Sequence, residues 1–207
     1  MSDQNRRPLT SRNSRWAAGL ASRAVAKGIS PNRISQASIG FAVLGFLLYW
    51  FSTLGGLLQF SALLLAAAAV QARLVCNLID GMVAIEGGRG AKDGPFWNEA
   101  PDRASDLLFF AGAGLAAGQP ALGLLAAALA IATAYIRELG RAEGFPPDFS
   151  GPLAKPQRMA VLTAGTILAA LHATEWTLTL TLWIIALGTA ATILRRSWTL
   201  IEKLKSR

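Results

Sequence analysis

Between Arg33 and Arg73 lie 39 consecutive residues without a charge. No soluble helix needs such a length, which instead suits two membrane spans of about 20 residues each with a turn between them. Ser52 to Gly56 (STLGG) supplies that turn. Two further stretches repeat the pattern. From Arg103 to Arg137 the sole charge is Asp106, with Gly118-Gln119-Pro120 as a break, and from Met159 to Leu194 it is Glu175, beside His172 and Trp176. The chain is therefore expected to be an all-α integral membrane protein with six transmembrane helices. They fall near 34–52, 57–78, 100–117, 120–137, 157–173 and 177–195.

Composition narrows the field further. The 207 residues are 53% hydrophobic and 15% charged, with a formal charge of +8 and a mean hydropathy of +0.40. A nucleic-acid-binding domain can be this basic but not also this apolar, so no nucleic-acid partner is expected. A disordered basic chain is excluded for the same reason. The single cysteine, Cys76, excludes a disulfide framework and a Cys-based zinc site, and reads as a small packing residue. Runs such as LLAAALAIATA suit close helix packing in a bilayer, although a soluble Ala-rich bundle is a competing reading.

Charge placement argues against that bundle. With six spans, the N-terminus, the 78–100 and 137–157 connections and the C-terminus share one side. All 20 Lys and Arg lie on that side or in an adjoining half-span, and none lies in the turns near 54, 119 and 174. The positive-inside bias makes that side cytoplasmic, giving a multi-pass protein of the bacterial inner membrane with both termini cytoplasmic. Trp50, Trp176 and Trp198 fall near span ends, as an aromatic belt would place them, and His172 reads as an interfacial residue.

Residues 1–33 form a basic N-terminal segment with seven Arg or Lys and one Asp, and residues 34–207 form the six-helix domain. The segment has no apolar h-region, so a cleaved signal peptide is not expected. A helix over Ser14–Lys27 places Arg12, Arg15, Arg23 and Lys27 on one stripe with Trp16 and Leu20, opposite a face of alanines. This reads as a short interfacial helix held at anionic lipid by charge and a Trp anchor, with a disordered basic tail as the alternative. Ser30-Pro31-Asn32 reads as a cap leading into the first span.

Ionisable residues inside spans are functional candidates by default. Arg73, Asn77 and Asp80 stack on one face of the second span, and Asn98, Asp102 and Asp106 on one face of the third, with Glu99 close by. Facing carboxylates at similar depth require a positive charge between them. Arg73 or Arg103 would supply it as an ion pair, and Mg²⁺ or Mn²⁺ would supply it as a hard ion preferring oxygen ligands. The connection Gly87–Gly94 is glycine-rich and carries Arg89 and Lys92, but it follows no defined nucleotide-binding spacing. Arg137 and Arg141 end the fourth span, while Lys155 and Arg158 open the fifth. These four cations suit an anionic small molecule; as an alternative they only serve positive-inside bias and lipid headgroups.

The segment NLIDGMVAIEGGRGAKDGPFWNEAPD resembles the signature of the CDP-alcohol phosphotransferases, D-x-x-D-G-x-x-A-R, eight residues, then G-x-x-x-D-x-x-x-D. Every gap has the right length when the pattern runs through Asn77, Asp80, Gly81, Ala84, Ile85, Gly94, Asn98 and Asp102. Three positions depart: Asn77 and Asn98 replace aspartates, and Ile85 replaces the arginine. The resemblance covers the chain from about Ser30 onward.

It implies a metal-dependent enzyme, with 34–207 as its catalytic domain. Such an enzyme moves the phosphatidyl group of a CDP-linked lipid, CDP-diacylglycerol, onto a small hydroxyl acceptor, phosphorylated in some members, and releases CMP. In the family the four aspartates hold two divalent ions, and the fourth is the general base. The implied metal set here is Asn77, Asp80, Asn98 and Asp102 with Glu99 added, for one or two Mg²⁺ or Mn²⁺ ions, and Asp102 is the implied base. The matched positions bring a charge of −2 in place of −4, which Glu86, Glu99 and Asp106 lie close enough to supplement. Asp80, Gly81, Ala84 and Gly94 are implied to receive the nucleotide, with Gly94 letting the third helix come close. Arg137, Lys155 and Arg158 are implied to bind the acceptor, with Arg89 taking over the missing arginine's phosphate contact and Arg73 supporting the cluster. A homodimer follows by analogy alone. Two other readings compete: a degenerate member that binds nucleotide-lipid without transfer, and a small ion- or proton-coupled transporter using Asp80, Asp102 and Arg73.

Overall fold

In the computed structural model the described residues are 14–86, 92–172 and 175–207. They form seven helices: α1 Arg15–Ala26, α2 Pro31–Ser52, α3 Gly56–Glu86, α4 Gly94–Ala116, α5 Pro120–Ala142, α6 Lys155–His172 and α7 Glu175–Lys205. Each expected span has its helix. Several run past the expected ends, because an apolar run marks only the part of a helix that suits hydrocarbon. At 31 residues, α3 and α7 are each about 46 Å long against a hydrocarbon core of about 30 Å. Four helices, α2, α3, α5 and α7, are long and apolar enough to cross a membrane. The start of α4 carries Asn98, Glu99, Asp102, Arg103 and Asp106, and α6 is shorter, at 18 residues, and opens on Lys155 and Arg158.

Local chemistry sets the ends. The Ser30 hydroxyl accepts from the Arg33 backbone N–H at 3.3 Å, and Pro31 occupies the first turn of α2, where its missing N–H is harmless. The α4–α5 turn needs a positive φ, which Gly118 adopts at 65°.

Side-by-side packing runs α3–α2–α4–α5–α7–α6 and back to α3, so α2 to α7 close a ring. The interior is built from small residues, among them Ala42, Ala66, Ala113, Ala126 and Ala130, around Tyr49, Phe109 and Phe110. Small side chains let backbones approach. At Gly123 a Cβ would run into the Phe110 carbonyl oxygen and meet Gly114 Cα at 2.8 Å. Gly123→Val is therefore expected to destabilise the α4–α5 hairpin by about 3 kcal/mol, read as a lowered Tm in detergent. Large apolar side chains point outward instead: Leu57, Leu180, Leu187 and Leu194 are exposed, as are Trp50, Trp176 and Trp198.

Helix α1 forms where expected and packs on α3. Its alanine face is the buried one: Ala17 and Ala21 sit against Leu78, Ile79, Met82 and Val83, while Trp16 and Leu20 stay exposed. Arg12, Arg89 and the side chains of Glu86, His172 and Glu175 lie outside the described residues.

Candidate active site

Helices α3 and α4 are not neighbours in the ring, and the space between them is the functional cavity. About 710 Å³ in volume, it is lined from every helix and from the 143–154 connection. On the α3 wall stand Asn77, Asp80, Gly81 and Ala84, and on the α4 wall Gly94, Asn98, Glu99 and Asp102. The signature positions, apart from Ile85, thus share one chamber. Ile85 is 57% exposed and is absent from the lining.

Asp80 and Asp102 have opposite surroundings. The Ser35 hydroxyl, from α2, donates to Asp80 Oδ2 at 2.7 Å. Asp80 Oδ1 is buried and has no partner in hydrogen-bond geometry among the described residues. Asp102 is held by cations on both oxygens: Arg73 donates to Oδ1 and Lys155 to Oδ2, with Arg103 3.4 Å from Oδ2. Lys155 also donates to Asn77 Oδ1 at 3.4 Å. The positive charge that facing carboxylates require is present, and it comes from α3 and α6.

Expected site residues fall into three groups. Asn77, Asp80, Asn98 and Asp102 come together as anticipated. Glu99 lines the cavity but is paired with Arg137 at 2.5 Å and with Arg103 at 3.5 Å. Asp106, one turn below Asp102, is buried against Arg158 at 3.5 Å and does not line the cavity. Arg73 is fully buried behind Asp102. One expectation is corrected: among the described residues a Cβ at Gly94 would meet nothing within 4 Å, so no close approach of a described helix requires that glycine. Its backbone borders open cavity, and the start of α4 is instead tied to α2 by Asn32 donating to Asp93 at 2.9 Å.

The opposite wall is basic. Seven Arg or Lys line the cavity against four Asp or Glu among the described residues. Arg137, Arg141, Lys155 and Arg158 were anticipated; Arg196 of α7 was not. Arg196 is buried and donates to the Ser150 carbonyl at 2.9 Å and to the Thr133 carbonyl at 3.1 Å. Its sequence signal was a cation at the end of an apolar helix, which positive-inside bias absorbs without further explanation. Ser35 and Thr133 also escaped notice, because small hydroxyls in membrane helices carry no positional signal. Above the wall, the Ser150 backbone N–H donates to Asp148 at 2.8 Å. Burial pushes the Asp148 carboxyl up, but the Ser150 hydrogen bonds and the charge of Arg196 more than offset this and hold it below the usual carboxylate range.

Asp80, Asn77 and Asn98 are the residues whose oxygens could hold a hard divalent cation. Asp80 Oδ1 is a buried carboxylate oxygen with no hydrogen-bond partner among the described residues, and Asp80, Asn77 and Asn98 line the same chamber. Among the described residues there is no group of three His, Cys, Asp or Glu arranged for a metal.

No protein-family model matches the chain. Among curated proteins it is 28% identical over 189 residues to the phosphatidylinositol phosphate synthase of Mycolicibacterium smegmatis, covering 86% of this chain and 80% of that one. It is 25% identical over 130 residues to the same enzyme of Mycobacteroides abscessus, covering 58% and 57%. Among solved structures, that of Mycobacterium tuberculosis phosphatidylinositol phosphate synthase with CDP-DAG bound matches with a TM-score of 0.75 at 21% identity, over 90% of this chain and 94% of that one. The same enzyme in complex with manganese and citrate matches equally well, over 89% and 88%. These structures share the fold. The chain is thus similar in sequence to phosphatidylinositol phosphate synthases and shares the fold of a solved one, and its Asn77–Asp102 segment resembles the CDP-alcohol phosphotransferase signature with departures at Asn77, Ile85 and Asn98.

Proposed function

We propose that this chain transfers the phosphatidyl group of CDP-diacylglycerol to the hydroxyl of a phosphorylated small alcohol, releasing CMP. The observation that carries this reading is the chamber itself. Asp80, whose Oδ1 has no hydrogen-bond partner among the described residues, lines one volume with a wall of cations that includes Arg137, Arg158 and Arg196. The relatives' name makes an inositol phosphate the first acceptor to test.

In this reading all six helices α2 to α7 cross the membrane with both termini cytoplasmic, and residues 1–33 stand as a separate basic segment. The outward leucines and the basic connections support it. Asp80, with Asn98 on the facing wall, would hold a divalent ion, Mg²⁺ or Mn²⁺, while Asn77 Oδ1 accepts from Lys155 at 3.4 Å. When bound, that ion would neutralise the diphosphate and the charge developing on the departing CMP. Gly81 and Ala84 leave the nucleotide room against α3, where a Cβ at Gly81 meets nothing within 4 Å among the described residues. Arg137 and Arg158, with Arg196 beside them, orient the acceptor through its phosphate.

The acceptor oxygen attacks the phosphatidyl phosphorus, the bond to the CMP oxygen breaks, and the hydroxyl proton goes to Asp102 Oδ2. Arg103, at 3.4 Å, is the loosest of that oxygen's contacts and the one an acceptor hydroxyl displaces.

The test is CMP release by purified protein with CDP-diacylglycerol and Mn²⁺, comparing inositol phosphate, glycerol phosphate and unphosphorylated inositol. Phosphorylated acceptors are expected to be strongly preferred. Arg137→Gln is expected to lower kcat/KM for them about 10- to 100-fold, as expected from losing a charge-assisted hydrogen bond. Equal use of unphosphorylated inositol would contradict the assignment of the basic wall.

A further inference from the structure

We propose that Lys155 is a built-in cation of the carboxylate face, and that the site consequently takes a single divalent ion, at Asp80. The inference rests on the transfer reading for the ion's purpose, but its evidence is the distribution of partners. Asp102 has no open oxygen: Arg73 takes Oδ1, while Lys155 and Arg103 share Oδ2. The Lys155 ammonium also reaches Asn77 Oδ1, so one nitrogen joins the α3 and α4 walls across the gap. A divalent ion between the two walls would do the same. The ammonium carries one charge and is anchored by its own chain at the first residue of α6.

Charge balance agrees with this placement. Asn77 and Asn98 bring oxygens without charge, so the facing positions hold two carboxylates. Two divalent ions together with Arg73 and Lys155 would leave the buried chamber strongly positive. One divalent ion at Asp80 leaves each carboxylate with its own cation partners. Asp80 is 6% exposed, its Oδ2 accepts from Ser35, and its Oδ1 is a buried carboxylate oxygen with no hydrogen-bond partner among the described residues, on a residue that lines the chamber with Asn77 and Asn98. Lys155 therefore occupies the place from which a second ion would have to reach Asp102, and its fixed charge repels one.

The test counts ions without turnover: purified full-length protein in detergent is titrated with Mn²⁺, and free ion is followed by its electron paramagnetic resonance signal. The wild type is expected to bind one Mn²⁺ per chain, and Asp80→Asn none. Lys155→Met frees Asn77 Oδ1 and one contact on Asp102 Oδ2, and is expected to keep the first ion and admit a second at higher concentration. Two ions in the wild type, none in the wild type, or a second ion that never enters Lys155→Met would each overturn the proposal. The wild-type count decides even if the variant does not fold. One Mn²⁺ without CMP release would sink the transfer reading and leave this inference standing. CMP release with two ions would do the reverse.

Discussion

Asp80→Asn is expected to lower metal-dependent CMP release by roughly 10²- to 10³-fold, the scale on which losing one preorganised electrostatic contact to a transition state slows an enzyme. The variant should still fold. An asparagine oxygen continues to accept from Ser35, which donates at 2.7 Å, and among the described residues no cation pairs with Asp80 to be left stranded. The effect should fall on kcat and on the metal concentration for half-maximal rate, with little change in acceptor KM, because the basic wall is untouched. Steady-state kinetics across a Mn²⁺ series checks this. Full activity at saturating Mn²⁺ would remove Asp80 from the metal role.

Arg73→Met should act on the fold before it acts on chemistry. Arg73 is wholly inaccessible to solvent, and the Asp102 side chain is 11% exposed. Removing one member of a buried pair leaves the other uncompensated, which typically costs 3–5 kcal/mol. Here Lys155 and Arg103 still contact Asp102, so the lower end, about 3 kcal/mol, is expected, read as a large fall in Tm in detergent. Arg103→Met, which removes a 3.4 Å contact with a side chain 23% exposed, should lower stability far less. Equal losses from the two would mean that Arg73 has no special place in holding Asp102.

Much of this architecture is legible in one dimension. Freedom from charge over a length is a property of the chain itself, so the 39-residue run and its two successors locate six helices. Spacing by three and four likewise puts Asn77 with Asp80 and Asn98 with Asp102, whatever surrounds them. The order of helices around the ring is not legible, because Ala-rich faces such as those of α4 and α5 offer several neighbours nearly the same surface. The choice is made by features such as the Gly114–Gly123 approach, which depend on two segments at once. The same reason hid the partners of Asp102. Arg73 could be anticipated as a compensating charge, but Lys155 read as an acceptor ligand, because 53 residues separate it from the carboxylate it contacts. The alanine face of α1 was visible as a face; that it packs on α3 was not.

Lipid product formation tests the account most directly. Purified protein with CDP-diacylglycerol, inositol phosphate and Mn²⁺ should yield a phosphatidylated inositol phosphate, identified by mass spectrometry, in equal amount with CMP. Both products should vanish on chelation of the metal and nearly vanish in Asp80→Asn. Absence of both from the wild type, with every phosphorylated acceptor and with Mg²⁺ or Mn²⁺, would contradict the account.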